Sequence, residues 1–168
     1  MLRALYTLPR TIVLLLQPQD FSQYVTVPDR GFICDLILTN SCSCLFDGNI
    51  RANTAKMRSL LASYTNIYHR LAAQFSRQDF AVEVIPGLRG LPPRERRGDK
   101  HVVSKAALSH DCFHYNGRTQ GMIGINLWNN LIEKPGNRTS VYGRGLKIKC
   151  PTPGQTISLS TSNKKLSG

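Results

Sequence analysis

The chain has 168 residues, enough for one domain, and its 41% of hydrophobic residues can form a modest core. Its longest apolar run, Ile12 to Leu16, is far shorter than the roughly 20 residues of a membrane-spanning helix, which argues against a transmembrane segment. Twenty-two Lys and Arg against ten Asp and Glu give a formal net charge of +12, which favours phosphate-rich partners such as nucleic acid or anionic lipid.

The distribution of the basic residues argues against direct nucleic-acid binding. They are scattered along the chain, and no aromatic side chains are interleaved with them to stack on bases. They form two groups: Arg94, Arg96, Arg97 and Lys100 in one, and Arg138, Arg144, Lys147 and Lys149 in the other. No nucleic-acid partner is therefore expected.

The N-terminal half of the chain predicts a helix end, a strand, a loop and a long helix. Met1 to Leu8 would end a helix, and Pro9 and two arginines make this region a poor signal peptide. The apolar run Thr11 to Leu16 predicts a buried parallel strand. Phe21 to Phe46 is rich in turn residues and predicts a loop with one or two short helical turns pinned by disulfides. Asn49 to Phe75 has apolar residues spaced by three and four, which predicts an amphipathic helix.

The C-terminal half predicts a second strand, a loop and a closing helix. Phe80 to Ile85 would form the strand, followed by a loop rich in Pro, Gly and Arg that runs to about Lys100. Asn116 is a candidate N-cap for a helix from Arg118 to Ile132. The aromatic residues expected to pack in the core are Tyr64, Tyr68 and Trp128. Strand, helix, strand, loop and helix in this order predict an α/β sandwich.

A carboxylate and a histidine lie three residues apart, at Asp111 and His114, on the loop before the closing helix. A carboxylate that accepts a hydrogen bond from one imidazole nitrogen fixes the tautomer and leaves the other nitrogen free to take a proton from a nucleophile. Sites of α/β folds lie beyond the carboxyl ends of the strands, where this loop is expected. The pair is a candidate general base, and local capping in a surface loop is the alternative.

Five cysteines predict disulfides rather than a zinc site. Cys42 and Cys44 are separated by one residue, whereas zinc knuckles have two to four, and the histidines lack matching spacing. The odd count leaves one thiol free or bonded to a segment outside this sequence. The tripeptide Asn137-Arg138-Thr139 is a glycosylation sequon, with an ordinary polar turn as the alternative.

Several segments around the Asp111 and His114 pair share one known pattern. They are Ser109-His110-Asp111-Cys112-Phe113-His114, Gly117, Leu127-Trp128-Asn129-Asn130-Leu131, Lys134-Pro135-Gly136 and Lys149-Cys150-Pro151. Upstream segments that fit are Leu8-Pro9-Arg10, the cysteines Cys34, Cys42 and Cys44, and the helix from Tyr64 to Leu71. Together, over about residues 8 to 151, they closely resemble the end of the phospholipase B group of the GDSL, or SGNH, serine hydrolase family.

This resemblance implies a serine esterase that hydrolyses acyl-ester bonds of phospholipids and lysophospholipids at a membrane surface, without a cofactor or metal. His114 would activate a serine and later protonate the leaving alcohol, while Asp111 orients the histidine. The fold would be a partial three-layer α/β/α SGNH-hydrolase sandwich, flavodoxin-like, without its N-terminal strands. Residues 1–135 would be the C-terminal part of the hydrolase domain and 136–168 an irregular extension. Family resemblance further implies an extracellular or membrane-anchored location.

The family's serine, glycine and asparagine blocks have no counterpart in this sequence. The chain is therefore expected to be the C-terminal portion of a longer enzyme, inactive alone, with the missing N-terminal part of the same domain as its partner. The first strand would then have an unpaired edge. The internal disulfides predicted are Cys112 with Cys150, and Cys34 with Cys42 or Cys44. The alternatives are a catalytically inactive lipid- or protein-binding relative and, third, a basic nucleic-acid-binding module.

Overall fold

The computed structural model describes residues 1–143 and 145–160. Arg144 of the second basic group and residues 161–168 of the expected extension lie outside the described residues. The helices are α1 (Leu2–Leu5), α2 (Phe32–Ser41), α3 (Ser43–Phe46), α4 (Ile50–Gln74) and α5 (Gly117–Ile132), with 3₁₀ turns at Phe21–Thr26 and Lys105–Ala107. The strands are β1 (Thr11–Leu16), β2 (Ser76–Arg77), β3 (Phe80–Ile85), β4 (Arg94–Arg97) and β5 (Lys100–Val103). The predicted α/β class is confirmed.

The main sheet has the order β1-β3-β2, with β3 in the centre. β1 runs parallel to β3 in a register from Thr11 opposite Phe80 to Leu16 opposite Ile85. All six residues of β3 are buried, five of them apolar and the sixth Glu83, whose carboxylate is paired with Arg138. Within the described residues β1 pairs on one side only, so its expected free edge is present.

The long helix α4 connects the two parallel strands, as predicted. Asn49 caps it by accepting a hydrogen bond from the Ala52 N–H at 3.0 Å. Ala72 and Tyr68 pack over the core around Phe80. Tyr64, however, is exposed together with other apolar residues of the same helix. Its predicted core position was wrong, because the sheet covers only one of the helix's two apolar faces.

The segment from Phe21 to Phe46 is more helical than the predicted loop. α2 and α3 place Leu38 and Leu45 in a second core, where they pack with Tyr24 and Val103. The cysteines and turn residues of this segment obscured its helical pattern. Because the apolar contacts are made with distant residues, only the tertiary structure reveals why these helices form.

The predicted loop from Pro86 to Lys100 was also partly wrong. β4 and β5 form an antiparallel hairpin, with Arg94 opposite Val103 and Arg97 opposite Lys100. Gly98 at the turn has φ +58°, a left-handed conformation that glycine adopts without strain. The hairpin holds Val103 in the second core, which explains why a strand so rich in arginine forms there.

The segment after α5 is anchored on the helix through polar side chains. The buried residues of α5 are Thr119, Asn126, Asn129 and Asn130, so its packed face is polar. Asn129 Nδ2 donates to the Lys147 carbonyl at 2.9 Å, and Asn130 Nδ2 donates to that of Thr139 at 2.8 Å. The core position predicted for Trp128 was wrong, because its ring is exposed and its Nε1 donates to the Lys149 carbonyl.

Among the described residues, no helix is both long and apolar enough to cross a lipid bilayer.

Candidate active site

The loop that carries Asp111 and His114 closes on itself through backbone hydrogen bonds. The Ser109 N–H donates to the His114 carbonyl at 2.8 Å, and the Cys112 N–H donates to the Ser109 carbonyl at 3.0 Å. Cys112 adopts φ +59°, a left-handed conformation that reverses the chain between the two candidate residues. This tight turn brings the Asp111 carboxylate next to the His114 ring.

The two predicted residues are in direct contact. His114 Nδ1 lies 2.6 Å from Asp111 Oδ2. The other carboxylate oxygen, Oδ1, accepts the backbone N–H groups of Phe113 at 3.1 Å and His114 at 3.0 Å. Both oxygens are therefore engaged, and the carboxylate is fixed relative to the ring.

The surroundings of Asp111 favour its charged form. Its partial burial tends to raise the pKa, but the hydrogen bonds from the His114 ring and from the two backbone N–H groups outweigh burial, so the pKa of Asp111 is below its usual value. The side chain of His114 is 72% exposed and that of Asp111 is 31% exposed. The carboxylate thus lies on the inner side of the pair, and the imidazole faces outward.

Aromatic side chains on distant elements hold the loop in place. Phe113 packs against Phe21 and Tyr24, with ring centroids 6.4 Å and 5.5 Å away. The Tyr24 hydroxyl donates to the Phe113 carbonyl at 2.8 Å, and the Tyr115 hydroxyl donates to Gln19 Oε1 at 2.9 Å. Gln19 follows the carboxyl end of β1, so the loop lies near that end of the sheet.

A disulfide joins this loop to α2. Cys34 is bonded to Cys112, with the two Cα atoms 5.4 Å apart. The predicted pairs of Cys112 with Cys150, and of Cys34 with Cys42 or Cys44, were therefore wrong. The reason is that α2, which was expected to be mostly loop, is a helix that brings Cys34 against the turn.

The three other cysteines are not disulfide-bonded. Cys42 is buried, whereas Cys44 and Cys150 are exposed. Burial raises the pKa of the Cys42 thiol, which favours its neutral form. The predicted glycosylation residue Asn137 is exposed in the turn after α5, where its N–H donates to the Lys134 carbonyl at 3.0 Å.

The described residues supply a histidine and the carboxylate that orients it. The imidazole of such a pair can accept a proton and return it. Within residues 1–143 and 145–160, no serine hydroxyl hydrogen-bonds to the His114 ring. Sequence reasoning found the pair but not the residues that support it, namely Gln19, Phe21, Tyr24 and Tyr115. The aromatic character of Phe21, Tyr24 and Tyr115 is a signal of packing, but nothing in the spacing of the four residues connects them to residue 114.

The fold and the site together define an α/β protein with an outward-facing histidine oriented by a carboxylate. No family model and no solved structure match the chain. The chain does match the membrane-associated phospholipase B1 of Mus musculus and of Homo sapiens, each at 28% identity over 171 residues, and that of Rattus norvegicus at 29% over 173 residues.

Each of these alignments covers 95% of the chain but only 11% of the relative. These matches support the phospholipase B-like family relationship that the sequence motifs predict. The chain spans about one ninth of the length of the curated relatives it matches.

Proposed function

We propose that this chain carries the acid–base half of a serine esterase that hydrolyses acyl-ester bonds of phospholipids and lysophospholipids. The observation that supports this most directly is the 2.6 Å contact between His114 Nδ1 and Asp111 Oδ2, on a side chain whose ring faces outward. The relationship to proteins named phospholipase B1 supports the choice of substrate.

In the proposed reaction His114 acts first as a base and then as an acid. Its Nε2 takes the proton of a serine hydroxyl while the serine oxygen attacks the ester carbonyl and forms a tetrahedral intermediate. The imidazolium then gives that proton to the departing alcohol oxygen as the carbon–oxygen bond breaks. Water repeats the sequence on the acyl-enzyme, and the free acid is released. Asp111 stabilises the imidazolium throughout and fixes the tautomer.

The serine and the donors for the oxyanion belong, in this proposal, to a part of the same SGNH-type domain that the present sequence does not contain. The free edge of β1 supports this, because further strands of a three-layer α/β/α sheet can pair there. Under the same proposal, residues 1–135 form the C-terminal part of the hydrolase domain. An exposed sequon at Asn137 and a disulfide suit an extracellular or membrane-anchored enzyme.

The proposal is tested in the longest protein that contains this sequence. His114→Ala should lower kcat for hydrolysis of lysophosphatidylcholine by about 10⁴-fold or more, and Asp111→Asn by about 10⁴-fold, because the two residues act as one unit. His101→Ala is the matched control, since His101 is an exposed histidine on β5 outside the loop. It should leave kcat unchanged.

Labelling with a fluorophosphonate, which reacts with activated serines, provides a second readout. The wild-type protein should be labelled and the His114→Ala variant should not. If hydrolysis persists at the wild-type rate in the His114→Ala variant, the proposed role of the pair is wrong. Vesicle binding without hydrolysis in the wild-type protein would instead favour the catalytically inactive lipid-binding relative.

A further inference from the structure

The first turns of α2 expose three large apolar side chains. Phe32 is 82% exposed, Ile33 is 65% exposed and Leu36 is 51% exposed. Residues three and four positions apart are neighbours on the surface of a helix. Leu36 therefore lies next to both Ile33 and Phe32, and the three side chains form a continuous apolar surface. We refer to Phe32, Ile33 and Leu36 as the α2 face. Exposing so much apolar surface on a helix costs free energy, which indicates an apolar partner.

The helix that carries the α2 face is connected to the candidate active site by a disulfide bond. Cys34 belongs to the same turn of α2 but is buried, and its disulfide bonds it to Cys112, two residues before His114. A groove separates the start of α2 from the active-site loop. Its walls include Phe32 and Ile33 on the helix side and Ser109 on the loop side. A partner that covers the α2 face is therefore held close to the loop that carries His114.

The charges around the groove fit an anionic or zwitterionic lipid surface. None of the described residues that line the groove is acidic, whereas Lys105 lines it and is exposed, with its Nζ donating to the Asp29 carbonyl at 2.9 Å. The carboxylate of Asp35 on α2 is paired with Arg30, with Nε and Oδ1 3.2 Å apart. The net charge of +12 further favours phosphate-bearing surfaces.

We propose that the α2 face inserts into a phospholipid interface and so presents the active-site loop to lipid esters. This inference rests on the proposed function, because it assigns the surface by which that site meets its substrate. A helix with apolar side chains on one face and cationic groups beside it binds at the boundary between headgroups and acyl chains. Aromatic and branched aliphatic side chains such as Phe32 and Ile33 enter this boundary layer, while Lys105 meets the phosphates.

The test measures flotation of the full chain with vesicles of phosphatidylcholine and phosphatidylserine in a 7:3 ratio, in which phosphatidylserine gives the vesicle surface a negative potential. The wild-type chain should float with the vesicles. The double variant Phe32→Ser with Ile33→Ser should partition at least about 10-fold more weakly, because each side chain loses a substantial apolar transfer free energy. The matched control is Val141→Ser with Ile148→Ser, which removes two apolar side chains of similar exposure, 71% and 60%.

The control variant should float as the wild-type chain does. Three results would overturn the proposal: no flotation of the wild-type chain, equal flotation of the α2 variant, or equal loss in the control. Sedimentation velocity tests whether a second copy covers the α2 face instead. A wild-type dimer that the Phe32→Ser with Ile33→Ser variant converts to a monomer would also contradict lipid insertion.

A second measurement separates this inference from the proposed function. In the longest protein containing this sequence, the α2 double variant should hydrolyse a monomeric short-chain ester at the wild-type rate and lose activity on vesicles. His114→Ala should keep vesicle binding and lose hydrolysis of both substrates. Loss of hydrolysis of the monomeric ester in the α2 variant would refute the interfacial role, and flotation without any hydrolysis by the wild-type protein would refute only the proposed activity.

Discussion

Removal of the disulfide between Cys34 and Cys112 is expected to cause a large loss of stability. The bond closes a loop with a sequence separation of 78 residues. On the chain-entropy model, a loop of that length lowers the free energy of the folded state relative to the unfolded state by about 4.5 kcal/mol at 25 °C. Measured values for native disulfides are generally about 2–5 kcal/mol, so we expect the Cys34→Ala with Cys112→Ala variant to lose between about 2 and 4.5 kcal/mol.

The assay is urea unfolding followed by circular dichroism, with free thiols blocked before unfolding to prevent exchange. Cys150→Ala is the matched control, because Cys150 is exposed and forms no disulfide. The control should change the free energy of unfolding by no more than about 0.5 kcal/mol. Peptide mapping without reduction should recover the peptide containing Cys34 linked to the one containing Cys112.

Two results would refute this reasoning. The first is a loss of less than about 1 kcal/mol in the double variant, which would mean that the crosslink does not restrict the unfolded chain as the model assumes. The second is recovery of a peptide in which Cys112 is linked to Cys150, accompanied by strong destabilisation in the control. That outcome would restore the pairing predicted from the sequence.

Four further variants test the packing and the charge of the fold. Arg138→Met should destabilise the chain by about 3–5 kcal/mol in urea unfolding, because it leaves the carboxylate of Glu83 buried without a cationic partner, although the Ser160 N–H and hydroxyl still donate to it, whereas Glu83→Leu combined with Arg138→Met should recover most of the loss. Asn116→Ala should cost about 1 kcal/mol, because its side chain accepts the Thr119 N–H at 3.0 Å, and an unchanged unfolding midpoint would contradict this capping role. Since the pKa of Asp111 is lowered in the folded state, Asp111→Asn should destabilise most above pH about 5 and less as the pH falls below the usual value of 3.8. A difference that grows in acid would show that the sign is wrong.

The sequence predicted those parts of the fold that depend on local pattern. The parallel strand Thr11 to Leu16, the buried strand Phe80 to Ile85 and the long helix between them were each confirmed, because such strands leave an apolar run and a helix with one packed face leaves a period of three and four residues. The burial predicted for Thr11 to Leu16 was wrong, because none of its residues is fully buried and Ile12 is exposed. The hairpin of β4 and β5 was not predicted. Its arginine-rich strand has no apolar period, and it forms because Val103 is held in a distant core.

In the candidate site, too, the local features were predicted and the long-range contacts were not. His114 is three positions after Asp111, which is a local distance, so their contact was predictable from the chain alone. The packing of Phe113 against Phe21 and Tyr24 joins segments about ninety residues apart, and no spacing in the sequence encodes it. The pairing of Cys34 with Cys112 belongs to this second group.

By itself, the sequence determined the α/β class, the N-cap of the closing helix and the pairing of a carboxylate with a histidine, because these depend on local patterns and on residues within a few positions of one another. Only the tertiary structure decided which cysteines bond, which side chains support the active-site loop, and that the α2 face stays exposed beside it. The physical reason is that burial and long-range contacts arise from the mutual packing of whole elements. The apolar pattern of a helix does not show which of its apolar faces a neighbouring element will cover.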